Sequence, residues 1–259
     1  MPDPFEGSRL TLAWAQHHIN YFDKKVTVFL DTRPYATVIE PNPQTPENNL
    51  HKMKLTASFP SHFNFIAADA VNNMRSALDQ SVYAVAHAFA IASKQTTPKI
   101  AYFPFASDAA AFENTLKGRS AEIVPPEIQA LFRKFQPYKG GNDLLWALNK
   151  ICNGNKHKLV SPVGVATAGY RVKARSSGFM SVSETTPIWD RTKNEVVFAE
   201  IGKDADFEYN FEFGLFIAFD EVEIVGGKSA QIVLKFFAGE VESIISEIEA
   251  ESKRIGIIS

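Results

Sequence analysis

The chain has 259 residues, 45% of them hydrophobic and 22% charged, which is enough to bury a core and excludes a disordered or fibrous composition. A formal net charge of -2 excludes a global field that would draw the chain to nucleic acid or an anionic membrane, so nucleic acid stays open only through a local basic patch. The single cysteine, Cys152, excludes an internal disulfide and every zinc site that needs two thiolates.

The spacing predicts an opening helix after Ser8. Leu10, Trp14, His17 and Tyr21 recur at steps of three and four, which places them on one face. It ends either near Asp23 or beyond Val28, because the β-branched run at 26–28 weakens the helical case. Two extended segments, Tyr35–Glu40 and Leu50–Ala57, flank the breaker-rich stretch PNPQTPENN and read as a hairpin with a long loop. In the second, Met53, Leu55 and Ala57 alternate with Lys52, Lys54 and Thr56, which predicts one wet face.

From Ser61 to Ser93 no Gly or Pro interrupts a stripe of Phe63, Ala67, Ala70, Met74, Leu78, Val82, Val85 and Phe89, so a spine helix of roughly 45 Å is expected. Three shorter helices follow. Ser107 caps the first and Gly118 stops it; Pro126 opens the second; Asn142 caps the third, DLLWALNKI. Gly154 between Asn153 and Asn155 suits a helix end and a tight turn.

After Lys158 the segments near Leu159–Ala166, Tyr170–Ala174, Gly178–Ser183, Glu195–Ile201 and Phe207–Ile224 read as strands. Phe207, Tyr209, Phe211 and Phe213 alternate with acidic or polar residues, so one side is buried and the other wet; Asp220 marks a bend. The final segment, Lys228–Glu249, reads as a helix, with a strand through residues 231–237 and a helix from Gly239 as the competing reading. The order predicts an α+β fold: a long central helix with several shorter helices packed against an antiparallel β-sheet. Residues 1–259 form one domain on this reading. The alternative division falls between a mainly helical part with a β-hairpin, 1–158, and a β-meander with a C-terminal helix, 159–259.

Two stretches carry chemistry. In NNMRSALDQ, Asn72, Arg75 and Asp79 fall within one arc of about 60° beside the apolar stripe. Arg75 can bind a carboxylate or phosphate while Asp79 holds its guanidinium; the alternative is a structural clamp onto a neighbouring segment. In NKICNGNKHKL, Asn153, Lys156, His157 and Lys158 set an imidazole between two ammonium groups. Neighbouring positive charge lowers its pKa and suits a general base, or a phosphate donor alongside the lysines; the alternative is a turn whose basic residues offset a helix C-terminus. No histidine or acidic set has metal-ligand spacing, and no nucleotide-loop, zinc-protease, nucleophile-elbow or EF-hand pattern occurs, so no cofactor and no metal are expected.

These same stretches resemble a group of uncharacterised bacterial proteins with an Asn–x–x–Arg–Ser–Ala–Leu–Asp helix and a later Asn–x–x–Lys–His–Arg/Lys element. Here they read Asn72, Arg75, Ser76, Ala77, Leu78, Asp79 and Asn153, Lys156, His157, Lys158, with Gln80 where the group often has His. The resemblance implies that the two elements belong together; it supplies no substrate.

The leading expectation is a binding or regulatory protein whose polar seam takes an anionic small molecule, a nucleotide or another phosphate-bearing ligand through Asn72, Asn153, Lys156 and Lys158. One alternative is a metal-independent enzyme cleaving a phosphodiester or phosphate ester, RNA included, with His157 as acid or base, Arg75 stabilising negative charge and Asp79 orienting it. The other is a structural or assembly protein. The N-terminus MPDPFEGSRL lacks a signal-peptide pattern and no run of about 18 apolar residues occurs, so a cytoplasmic location and no membrane partner are expected; the oligomeric state is open.

Overall fold

The computed structural model describes residues 3–118, 123–155, 162–177, 190, 192–204, 206–219 and 224–259. In chain order these form helix α1 (Glu6–Asp31), strands β1 (Tyr35–Pro41) and β2 (Asn48–Leu55), and helices α2 (His62–Ala92), α3 (Ala109–Lys117), α4 (Pro126–Phe135) and α5 (Asp143–Asn155). Strands β3 (Pro162–Ser177), β4 (Glu195–Gly202) and β5 (Asp206–Phe219) and helix α6 (Ala230–Arg254) follow. The fold is mixed α+β, with antiparallel ladders β1-β2-β4 and β3-β5.

Helix α2 is the spine. Phe63, Ala67, Ala70, Met74, Leu78, Val82 and Val85 are buried along it as the stripe predicts, and Phe89 is half-buried. Its alanines let flanking helices approach closely. Leu12, Ala15, Ile19, Phe22 and Val26 of α1 join the same core, as do Val233, Leu234, Phe237, Val241, Ile244 and Ile248 of α6. Arg9 pairs with Glu249 at one end of α1 and Lys235 with Asp23 further along, so α1 and α6 run antiparallel. Where α1 ends and α2 begins, Phe22, Phe29, Phe59 and Phe63 meet edge to face, with ring centroids 5.2–5.9 Å apart.

Several expectations are corrected. The face Leu10–Trp14–His17–Tyr21 is the outer one: Leu10 is 64% and Trp14 55% exposed, while the set Leu12–Ala15–Ile19–Phe22–Val26 turns inward. The β-branched run does not end α1, because burial of Val26 outweighs its small propensity cost. Helix α6 is continuous through Gly239, which overturns the strand reading of residues 231–237: Val233, Leu234, Phe237 and Ala238 bury at helical spacing and leave Ile232 and Phe236 outside. Asp108, not Ser107, caps α3; its carboxylate accepts from the Ala111 N–H at 2.9 Å, and Ser107 donates to it. That backbone bond also holds the Asp108 carboxyl below its ordinary pKa.

Asn142 caps α5 as expected, its Oδ1 accepting from the Leu145 N–H at 3.1 Å. The helix then takes in Asn153 and Gly154 and ends at Asn155, within the stretch that suits a helix end. Strand β3 is one element where two segments were expected; Gly169, between them, and Gly164 sit at its two register shifts, Thr167 to Tyr170 and Val163 to Val165. On β5, Glu208 and Glu212 stand in register opposite Arg175 and Arg171 of β3. The extended segment at 178–183 and the bend at Asp220 lie outside the described residues.

The three-stranded sheet carries its own small core of Met53, Val196, Phe198, Ala199 and Ile201, with Tyr35 packed against it. Its opposite face is not simply wet. The Lys52 ammonium is buried, 2.9 Å from Glu195 and 2.6 Å from Glu40. These carboxylates raise the Lys52 pKa, and Lys52 in turn lowers that of Glu40. Across the sheet, burial pushes the His51 imidazole below its ordinary pKa.

Candidate functional site

The predicted residues of α2 meet α5. Arg75 and Asp79, one turn apart, pair through Nε at 3.3 Å, and both side chains are about four-fifths buried. The Arg75 Nη1 donates to Asn149 Oδ1 on α5. Its guanidinium carbon lies 4.3 Å from the ring centroid of Phe105, a cation–π arrangement. Asp79 also accepts the backbone N–H of Phe103 at 2.8 Å, so one carboxylate orients the guanidinium and pins the segment that supplies the aromatic plate.

The amides around this centre are ordered by their acceptor ends. Asn72 Oδ1 accepts from the Cys152 thiol at 3.3 Å, and Asn149 Oδ1 accepts from Arg75 and from Asn153 Nδ2 at 3.3 Å. Their oxygens are therefore spent within the seam. The Nδ2 groups of Asn72 and Asn149 and the Nη2 group of Arg75 have no protein acceptor among the described residues. Donors outnumber unspent acceptors, and Asn72 is exposed while Arg75 and Asn149 are half-buried.

The structure thus brings together Asn72, Arg75, Asp79 and Asn153, four of the predicted residues. Lys156, His157 and Lys158 lie outside the described residues. Sequence reasoning missed Asn149 and Phe105. The four-residue step from Asn149 to Asn153 signals one helical face once α5 is known to continue, whereas Phe105 reaches Arg75 only through the tertiary path of its segment. Cys152 is buried, as its place near the end of the helix suggests.

A second polar cluster sits on the small sheet. Glu200 Oε1 accepts from Asn42 Nδ2 at 2.8 Å, Asn48 Nδ2 at 2.9 Å and the Thr45 hydroxyl, and these donors, Thr45 foremost, depress its pKa. All three come from the loop between β1 and β2 or its margin, so this carboxylate anchors the hairpin on β4. Beside it stands the Glu40–Lys52–Glu195 cluster, so the two hold three carboxylates to one ammonium, and Glu200 is held by neutral donors alone.

Among the described residues, no group of three or more His, Cys, Asp or Glu side chains could hold a metal ion, and no helix is long and apolar enough to cross a membrane. Comparison with known proteins finds no matching family model, no matching curated protein and no matching solved structure.

Proposed function

We propose that the protein binds an anionic, phosphate-bearing small molecule at the α2–α5 seam. The observation that carries this reading is the donor surplus: a guanidinium held in place by Asp79 and Asn149 and backed by Phe105, beside two amides whose oxygens are turned inward. Preorganisation of this kind lowers the entropic cost of capturing an anion, and an Arg with N–H groups to spare suits phosphate oxygens. The resemblance to proteins sharing the Asn72–Asp79 and Asn153–Lys158 elements implies that the two belong together, and Asn153 of the second bonds Asn149 at the seam.

The test is titration with inorganic phosphate and nucleoside monophosphates, followed by amide chemical shifts and calorimetry. Saturable binding that perturbs residues 72–79 and 149–153, weakens with salt, and weakens at least about tenfold in Arg75→Ala would support the proposal. Turnover of a phosphodiester that disappears in His157→Ala would move the reading to the hydrolytic enzyme. A second reading, a purely structural clamp, is favoured by the bonds from the Phe103 N–H to Asp79 and from Arg75 to Asn149, which together tie three segments. In that case Arg75→Ala lowers stability and no ligand of the panel binds.

A further inference from the structure

We propose that the outer face of α1 is the seam through which two copies of this chain pair antiparallel about a two-fold axis. A surface helix ordinarily shows one apolar stripe. Helix α1 has two. Leu12, Ala15, Ile19, Phe22 and Val26 face the core, while Leu10, Trp14, His17, Tyr21, Lys24 and Val28 repeat at alternating steps of four and three on the opposite side, the spacing of a helix–helix seam. Leu10 and Val28 are each 64% exposed, Trp14 55% and Tyr21 43%. Trp14 stacks on His17 at 4.8 Å with His18 edge-on to both, a cluster of three rings within the stripe.

Charge selects the occupant and its direction. A parallel pairing would set Lys24 against Lys24 of the other copy. The antiparallel pairing sets Leu10 against Val28, His17 against Tyr21 and Lys24 against the Trp14 ring, a cation–π partner. A two-fold axis makes each of these contacts twice, which is how a self-complementary patch closes into a dimer. An anionic membrane is a poorer fit, because Glu6 and Asp31 stand at the two ends of the stripe. From Leu10 to Val28 the seam spans roughly 27 Å. Its side chains can bury on the order of 1,000 Å² in total, at the lower edge of a specific interface, so dissociation is expected in the micromolar range.

Sedimentation velocity over roughly 1–200 µM protein tests this. The expected result is a concentration-dependent rise from 28.7 kDa to twice that mass, with at least a tenfold weaker dimer in Trp14→Glu at unchanged helical circular dichroism. Mixed His17→Cys and Tyr21→Cys chains should oxidise preferentially to the mixed disulfide dimer, since Cys152 is buried and these positions oppose each other only in the antiparallel register. A 28.7 kDa species at every concentration overturns the proposal. So does a dimer indifferent to Trp14→Glu, preferential cross-linking of like with like, or vesicle binding by phosphatidylserine membranes that Trp14→Glu abolishes.

Discussion

Replacing Lys52 with Met removes the ammonium from between Glu40 and Glu195 while keeping an unbranched stem in place. The magnitude follows from how unevenly the two carboxylates are exposed: the Glu195 side chain is 5% exposed and the Glu40 side chain 43%. Glu40 can turn to water once its partner is gone. Glu195 cannot, and its carboxylate is left in the sheet without a counter-charge. Breaking a fully buried pair from one side costs about 3–5 kcal/mol; because solvent reaches the cluster past Glu40, about 2–4 kcal/mol is expected here. Urea unfolding of wild type and Lys52→Met measures the loss, and amide exchange on β2 and β4 shows whether the small sheet opens first. Glu40→Gln should cost far less than Lys52→Met, and Lys52→Met combined with Glu195→Leu should recover most of the loss, since an apolar pair of similar volume replaces a desolvated ionic one. A Lys52→Met variant as stable as wild type, or a double variant worse than the single, would refute the claim that this charge is held away from water.

Gly239→Ala should raise stability by about 0.5–1 kcal/mol, because the position is helical and an added Cβ meets nothing within 4 Å; thermal unfolding checks the sign. Asn142→Ala should cost about 1–2 kcal/mol, since it removes the cap on Leu145 and the 2.6 Å bond to Glu240 on α6, and should show as a lowered urea midpoint. The folded Glu40 and Glu200 carboxyls lie below the ordinary 4.5, so their contribution is complete above that pH and is lost as pH falls through their folded values. Lys52 lies above 10.5, so its contribution is complete below that pH and is lost as pH rises through its folded value. Stability measured against pH should therefore fall at both extremes, and Glu200→Gln should flatten part of the acid limb.

What the sequence could reveal depended on whether neighbours along the chain or neighbours in space decide a residue's fate. The spine helix, the hairpin and the helix beginning at Pro126 were legible because local pattern and tertiary burial agree there. The orientation of α1 was not, because the helix carries two heptad-spaced faces and the bulkier one, with Trp14 and Tyr21, is the one left outside. Alternation along β2 marked Lys52 as solvent-facing, but Glu195 reaches it from β4, more than a hundred residues away, and no local rule reports that partner. The end of α5 was legible to within a turn: Asn153, Gly154 and Asn155 suit a helix end, and the helix takes them in as its last residues, with Asn153 bonded to Asn149 one turn back. At the site, the Asn72, Arg75 and Asp79 arc was readable from spacing within one helix, whereas Asn149 and Phe105 depend on which segments cross it.

If the seam takes an anion as proposed, the course of α5 favours one position along it. The C-terminal end of a helix carries partial negative charge from its unpaired carbonyls, and this falls off within the last turn. Asn153 stands in that turn, and it spends an Nδ2 donor on Asn149. Asn149 is a turn further back, where the dipole is weaker, and its Nδ2 stays unspent while its oxygen fixes Arg75. Asn72 lies on the spine with its oxygen turned toward Cys152. On the proposed reading the favoured position is therefore the triangle of Asn72, Arg75 and Asn149, with Phe105 behind Arg75 and Asn153 as a support for Asn149. The carboxylate of Asp79 does not spoil that position, because it is directed at the Arg75 Nε and the Phe103 N–H and so neutralises one edge of the guanidinium while leaving Nη2 unspent.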